Sequence, residues 1–344
     1  MKKPGVYPRN LSGRPCGLER PLALLLCAAQ ALAVFGCAAG TPPPDDGRPT
    51  SPPLHIREPD LAEPLFESLP AADGYPSDPV KEGVFERINR DRLLAGLLPV
   101  AWDEAASRVA DAFCAQQVRE ATRGHFLMDG VPPYARTAFA GVFGAQSENS
   151  VSWITTAPSF TESSLRLALM GHQEMMDEKP PQDGHRRTIL DPDATHVGVG
   201  YANENGRFQM SQEFLTRGLE RLKLVGRRSS RLALRFEGKT LQNWRLVFVT
   251  IAREPPPAPL SREEASGRSS YSYPRPTVSY VPEGTSLLRV SQTDTRDKIR
   301  LWTNQEFSFN FAPDRPGLYT FVFYTTVRAS IPARAGASAS VWVE

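Results

Sequence analysis

The sequence predicts an α+β domain followed by an all-β sandwich, about as much as 344 residues can form at the usual ~150 residues per domain. Residues 78–216 combine amphipathic helices with a β-hairpin, without regular alternation of strand and helix, which favours layered α+β architecture. Residues 217–344 carry short runs of period-two hydrophobicity between Pro and Gly breaks, a pattern typical of sandwiches such as the immunoglobulin fold. The 32 prolines cluster in stretches that read as linkers.

Residues 1–36 predict a lipoprotein signal peptide. Five basic side chains precede the uncharged run 21–36, which is shorter than the roughly 20 residues of a membrane-spanning helix. The run ends at Val34-Phe35-Gly36-Cys37, which resembles the bacterial lipobox, in which the cysteine is lipidated; Ala31-Leu32-Ala33 offers an ordinary cleavage site instead. We therefore expect an exported lipoprotein of the bacterial cell envelope, anchored to the membrane through Cys37, with a secreted soluble protein as the alternative.

Residues 37–77 predict a Pro-rich tether between this anchor and the folded domains. Cys16 and Cys27 leave with the signal peptide, so only Cys37 and Cys114 remain and no disulfide framework is available. Cys114 lies within a helical pattern, where we expect a buried small hydrophobe rather than a nucleophile.

The charge balance excludes a dedicated nucleic-acid binder, because 40 basic and 38 acidic side chains leave a net charge of only +2. The charges are unevenly distributed: residues 37–214 hold 15 basic and 26 acidic side chains, whereas 215–344 hold 20 and 11. Three interpretations stay open. The two halves dock on each other, the basic half faces anionic polymers or lipid head groups, or both are ordinary solvated surfaces.

Local signals predict the elements of the first domain. A helix begins at Asp78-Pro79, an N-cap followed by proline, and ends by Gly96. A second helix runs from about Asp103 to Arg123, and a third begins at the capping box Ser159-x-x-Glu162. Residues 197–214 predict a β-hairpin around the turn Asn205-Gly206.

In the second domain, alternating patterns predict strands around residues 232–236, 307–311 and 319–323. The segment Pro255-Pro256-Pro257-Ala258-Pro259 interrupts the strands and predicts a crossing loop. No catalytic constellation can be read in this half.

Five segments of the first domain, taken in order, resemble the CAP superfamily of cysteine-rich secretory proteins, antigen 5 and plant pathogenesis-related proteins (the SCP domain), especially its bacterial branch. The resemblance covers about residues 80–215. The segments are Ile88-Asn89-Arg90-x-Arg92 with Gly96-Leu97-Leu98-Pro99-Val100-x-Trp102; Gly124-His125; Ser147-Glu148-Asn149; Gly184-His185-Arg186-Arg187-x-Ile189-Leu190; and Thr195-His196-Val197-Gly198-Val199-Gly200-Tyr201 leading to Gln212 and Phe214.

This resemblance implies a three-layer α-β-α sandwich with a cleft lined by two histidines and two glutamates, which hold a divalent metal in several members. By motif, His125, Glu148 and His185 match three of the four. Glu174 is favoured as the fourth and Glu178, one turn further along the same helix, is the alternative. Ser147 replaces the family's usual glycine, and the Trp-Tyr pair expected before the fourth residue is absent.

The chemistry of these side chains can also be weighed directly. Two neutral imidazoles with one or two carboxylates suit zinc, or another divalent metal, with open positions for water. His172 lies on a helical packing stripe and His196 on an alternating strand, so both are expected to be structural. Arg186 and Arg187 could contact a ligand anion, with a solvated pair as the commoner outcome.

Three functions follow. The favoured one is a cell-envelope lipoprotein that binds a ligand (a lipid, an envelope polymer or a protein partner) in a metal-dependent cleft. The second is a metal-dependent hydrolase with a zinc-bound water and Glu148 or Glu174 as general base. The third is a structural surface protein with a vestigial site. Binding is favoured over turnover because no nucleophile–base pair is recognisable, and catalytic residues therefore stay unassigned.

Overall fold

A computed structural model describes residues 66–68, 74–228, 232–282, 298–301, 305–327 and 332–344. The predicted signal peptide, Cys37 and most of the predicted tether lie outside these residues. None of the helices in the described part of the chain is long and apolar enough to cross a membrane.

The first domain contains five helices and four strands among its described residues. They are α1 (Pro79–Leu94), β2 (Ala101–Trp102), α2 (Glu104–Glu120), α3 (Pro133–Phe139), β3 (Ala145–Ile154), α4 (Ser164–Asp177), α5 (Gly184–Ile189), β4 (His196–Glu204) and β5 (Arg207–Thr216); strand β1 (Phe66–Ser68) precedes them and belongs to the second domain. The sheet order is β2-β4-β5-β3, so β3 is an edge strand.

The sheet is covered on both faces, as the three-layer prediction requires. Alternate residues of β4 point to opposite faces. Val197 and Val199 pack with α1 and α4, whereas Gly198 and Gly200 lie against α2. A Cβ atom on Gly198 would stand 2.2 Å from the Ser107 backbone nitrogen, so glycine is what allows α2 to rest directly on the strand.

Most local predictions in this domain are confirmed. The Asp78 carboxylate accepts the Val80 N–H at 2.8 Å at the start of α1, and Asp103 caps α2. The hairpin of β4 and β5 turns at Asn205-Gly206, both with positive φ. Two boundaries differ from the prediction. The first is the end of α2, which lies at Glu120, with Ala121 in the left-handed conformation, and not at the predicted Arg123.

The second differing boundary is the start of α4. Its N-cap is Ser163, whose hydroxyl accepts the Arg166 N–H at 3.3 Å, so the capping box predicted at Ser159 is wrong. Both serines offer the same capping chemistry, and the packing of Leu167 and Ala168 into the core selects the later one.

The second domain is a β-sandwich, as predicted. Its further elements are β6 (Leu219–Arg228), β7 (Leu232–Thr240), β8 (Arg245–Glu254), α6 (Arg262–Gly267), β9 (Val278–Pro282), β10 (Lys298–Leu301), β11 (Glu306–Phe311), β12 (Gly317–Thr326) and β13 (Arg334–Val343). The strand order is β1-β6-β7-β11-β10-β9-β8-β12-β13, and the two halves of the sandwich meet where β9 and β10 pair in parallel. Aromatic side chains fill the core, with the Phe236 ring centroid 4.4 Å from Phe321 and 4.8 Å from Phe309.

Strand β1 changes the predicted organisation of the chain. It pairs antiparallel with β6 at the edge of the sandwich, although it lies inside the segment 37–77 predicted as tether. A strand of three residues is too short to show a period-two pattern in the sequence. The sandwich therefore takes strands from both sides of the first domain.

The two domains share a tightly packed joint at Arg217-Gly218, where β5 leads into β6. The Arg217 side chain is buried; it forms an ion pair with Asp103 and donates to the Phe143 carbonyl at 2.9 Å. Arg334 on β13 forms a second ion pair with Asp193. Both pairs join a basic side chain of the second half to an acidic one of the first, as the docking interpretation of the charge asymmetry requires.

Candidate functional site

The first half of the candidate site joins His125 to Glu148. His125 follows α2 in a loop that Gly124 starts with a φ of +81°, and Glu148 lies on edge strand β3. The His125 Nδ1 and Glu148 Oε1 atoms are 2.8 Å apart. Because an ionised carboxylate can only accept a hydrogen bond, this contact assigns the proton to Nδ1 and leaves the Nε2 lone pair open.

Glu148 has a buried partner that sequence reasoning missed. Glu213 on β5 lies directly opposite Glu148 in the β3–β5 register, and both side chains are buried. Burial and the neighbouring Glu148 raise the pKa of Glu213 well above its usual range. The protonated, neutral form is therefore favoured at Glu213. A glutamate within an otherwise uncharged strand, residues 208–215, was the available signal.

Arg136 on α3 supplies the positive charge of this half. Its guanidinium forms an ion pair with Glu148, lies 3.8 Å from the Phe113 ring centroid and donates to the His125 carbonyl at 3.3 Å. Burial raises the pKa of Glu148, and Arg136 opposes that rise. Burial, followed by the charge of Arg136, lowers the pKa of His125 to about 4, so this imidazole is neutral at neutral pH.

The second half of the site joins His185 to Glu178. Helix α4 ends at Asp177, and Glu178 takes an extended conformation that turns its side chain toward the start of α5. Its carboxylate contacts the His185 Nδ1 atom at 2.5 Å and accepts the His185 backbone N–H at 2.9 Å.

Only one of the two candidate glutamates contacts His185. Glu174, which was favoured, is exposed on α4, and Glu178 is the one beside His185. The sequence pattern treats both as members of one helical face, but the helix ends between them, so their side chains point in different directions.

The two halves meet across the edge of the sheet. Glu148 shares a face with Gly198 and therefore with α2, whereas the next residue, Asn149, shares the opposite face with Val199. The His125 and His185 ring centroids are 6.4 Å apart, so the two imidazoles come together beside strand β3.

A buried hydrogen-bonded chain supports the second half. Asn149 donates to the His185 carbonyl at 3.1 Å and lies 3.4 Å from the Gln212 amide oxygen. Gln212 contacts the His172 Nδ1 atom at 3.1 Å, and His172 Nε2 is 2.9 Å from Asp91. His172 is fully buried, and the prediction that it is structural is confirmed.

Three other predicted residues have partners within the chain. Arg186 donates to the Met176 carbonyl at the end of α4, and Arg187 forms an exposed ion pair with Asp183 at 3.2 Å. Both contacts are structural, and an anion contact by these arginines stays a prediction. Cys114 is fully buried, and burial raises the pKa of its thiol, which suits the predicted small core residue.

The donor set admits a metal through its imidazoles rather than its carboxylates. Among the described residues, no group of three or more His, Cys, Asp and Glu side chains is placed to hold a metal ion. Glu148 and Glu178 are each bonded to a histidine Nδ1 atom, as the supporting carboxylates of metal-bound histidines are. A metal at this site would be held by the Nε2 atoms of His125 and His185, with water in the other positions.

Comparisons with known proteins match one part of the chain. Residues 85–215 match the model of the CAP cysteine-rich secretory protein family. No curated protein matches the sequence.

Solved structures also resemble part of the chain. An extracellular protein containing a SCP domain from Bacillus anthracis is 19% identical with a TM-score of 0.33, and the match covers 42% of this chain and 45% of that one. An outer surface protein from Borrelia burgdorferi is 16% identical with a TM-score of 0.33, over 41% of this chain and 96% of that one. The chain thus spans less than half of the Bacillus anthracis protein.

Proposed function

We propose, from the match of residues 85–215 to the CAP family model, that the protein is an exported envelope lipoprotein. In this proposal its His125–His185 cleft binds a ligand with the help of a divalent metal, zinc in the first instance. The ligand class is a lipid, an envelope polymer or a protein partner. The anchor is the Cys37 lipid of the resembled lipobox. Fractionation of a Cys37→Ser variant, expected in the soluble instead of the membrane fraction, tests the anchor.

One observation carries the proposal for the cleft. Two imidazoles lie 6.4 Å apart, each with its Nδ1 atom engaged by a different glutamate. This arrangement orients both rings and leaves one lone pair on each, which is the form that binds a metal ion. The low pKa of His125 keeps that ring neutral, so no proton competes with a metal near neutral pH.

The same contacts favour binding over hydrolysis. A bound zinc ion would supply Lewis acidity, but a hydrolase also needs a carboxylate free to accept a proton from water. Glu148 is buried and already engaged by His125, Arg136 and Glu213. Glu178 is held by His185 and by two backbone N–H groups. Both glutamates therefore act by orienting the imidazoles, which leaves the exposed Glu174 as the candidate base of the hydrolase alternative.

Zinc titration of the full-length, chelator-treated protein tests this proposal. Calorimetry should give one zinc ion per chain in the parent protein and lose that binding in the His125→Ala/His185→Ala double variant. The matched control is His196→Ala, which removes an imidazole from strand β4 rather than from the cleft and should leave zinc binding unchanged. Circular dichroism establishes that all three proteins are folded.

Each other result contradicts part of the proposal. A folded parent that takes up no zinc, calcium or magnesium excludes a metal-dependent cleft and favours a metal-free or vestigial site. Equal loss in the His196 variant places the metal elsewhere. Zinc-dependent, chelator-sensitive hydrolysis of an ester or amide that the double variant lacks would favour the hydrolase.

A further inference from the structure

The second domain reaches the cleft through a long connection between β8 and β9, residues 255–277, which we call the strap. The strap follows the loop that carries His125: the Leu260 N–H donates to the Met128 carbonyl at 2.8 Å, and the Arg268 guanidinium lies 5.1 Å from the Phe126 ring centroid. Gly130, with a φ of +73°, leaves the room in which the Ala258 carbonyl lies. The predicted crossing loop is thus packed against the first domain.

Two tyrosines of the strap bind the outer edge of strand β3. An edge strand presents alternate N–H groups that its own sheet cannot satisfy. The hydroxyl of Tyr273 accepts the Gln146 N–H at 2.8 Å, and that of Tyr271 accepts the Glu148 N–H. The two hydroxyls therefore satisfy successive outward N–H groups of β3, in the stretch that carries the site glutamate.

Tyr271 has further contacts that Tyr273 lacks. Its hydroxyl donates to the Gln146 side-chain oxygen at 3.2 Å, and Gln146 in turn donates to Glu213 at 2.7 Å. Because Glu213 lies directly opposite Glu148 in the β3–β5 register, Tyr271 contacts Glu148 through its backbone N–H and contacts its carboxyl neighbour through Gln146. The Tyr271 ring also packs edge-on against His125, with centroids 5.0 Å apart.

We propose that Tyr271, supplied by the β-sandwich, is a positioning residue of the cleft that orients the His125–Glu148 pair for ligand and metal binding. This inference rests on the proposed function of the cleft. It assigns the second domain a part in the site: the sandwich carries the strap, and the strap sets the orientation of one of the two imidazoles. A ligand site built this way needs both domains.

Two conservative variants separate positioning from general stability. Tyr271→Phe and Tyr273→Phe each remove one hydroxyl that caps a β3 N–H, but only the first touches Glu148 and His125. In the full-length protein we expect Tyr271→Phe to weaken zinc binding about tenfold, as loss of a supporting hydrogen bond does at metal sites. Tyr273→Phe should keep the parental zinc affinity even if its melting temperature falls by as much as that of Tyr271→Phe, or by more.

A measurement on the metal-free protein makes the inference independent of zinc. Nitrogen-15 NMR of the His125 ring reports which ring nitrogen carries the proton. We expect Nδ1 protonation in the parent and in Tyr273→Phe, and a mixture of the two tautomers in Tyr271→Phe. If the parent binds no zinc but these ring signals differ as stated, the metal proposal fails and the positioning role stands. Identical ring signals in all three proteins, or equal zinc losses in both variants, would overturn the role of Tyr271.

Discussion

The two histidine–glutamate pairs of the candidate site have the same chemistry but opposite surroundings. The Glu148 side chain is fully buried and that of His125 is 8% exposed, whereas the His185 and Glu178 side chains are 34% and 23% exposed. The first pair has Arg136, Glu213 and Tyr271 around it. The second is held by the ends of two helices and by the Asn149 contact.

This difference in burial should make the His125–Glu148 pair more rigid than the His185–Glu178 pair. Buried polar groups cost free energy unless each has its partner, so the first pair can take only one arrangement. The more exposed pair loses less when its geometry changes, because water replaces broken hydrogen bonds. A change of geometry should therefore cost more free energy at the His125–Glu148 pair than at the His185–Glu178 pair.

Removing the glutamate should lower the free energy of unfolding much more in the buried pair than in the exposed pair. Glu148→Ala leaves Arg136 buried without its anion, which at comparable buried pairs costs about 3–5 kcal/mol of unfolding free energy. Glu178→Ala, the same change on the exposed pair, should cost no more than about 1 kcal/mol. Urea denaturation of both variants and the parent measures the two values.

Similar losses of unfolding free energy in Glu148→Ala and Glu178→Ala would show that burial does not make one pair more important for stability than the other. If Glu148→Ala does not fold, Glu148→Gln provides the comparison, since it keeps the side-chain shape and removes only the charge. Its loss should still exceed that of Glu178→Gln.

Lowering the pH should also reduce the free energy of unfolding through the buried pair, by less than the loss of Glu148 does. His125 has a pKa of about 4 in the folded protein, against about 6.5 in an unfolded chain. Its contribution is therefore fully present above pH 6.5 and is lost as the pH falls toward 4, because only the unfolded chain takes up the proton in that window. The loss amounts to about 3 kcal/mol.

Unfolding free energies measured between pH 4 and 7 test this prediction. A His125→Asn variant should show a flatter profile than the parent over that window, while His196→Asn keeps the parental slope. An NMR titration that finds His125 protonating near pH 6.5 in the folded protein would contradict it.

Local chemistry accounts for much of what could be predicted. Asp78 and Asp103 predict their helices because an N-cap side chain satisfies N–H groups two or three residues away. The Asn205-Gly206 turn predicts its hairpin because both residues tolerate positive φ. His125, Glu148 and His185 were found through short motifs, and the structure brings these three side chains to one place.

Other features depend on registers and packing that no short segment encodes. Glu213 joins the site because β5 pairs with β3 in one register, and a slip of one residue would turn it to the opposite face. Glu178, and not the favoured Glu174, lies beside His185 because α4 ends at Asp177. Strand β1 was not predicted because three residues show no pattern of their own and form a strand only by pairing with β6.

The sequence by itself determined the α+β domain and the sandwich, because helix caps, turn residues and hydrophobic periodicity act over a few neighbouring positions. It pointed to His125 and His185 through the resemblance of short motifs to the CAP family. Only the tertiary structure decided which carboxylates surround those histidines and that Tyr271 of the second domain lies beside His125. The Tyr271 contacts join residues more than a hundred positions apart, so they follow from how the two domains pack and not from any local pattern.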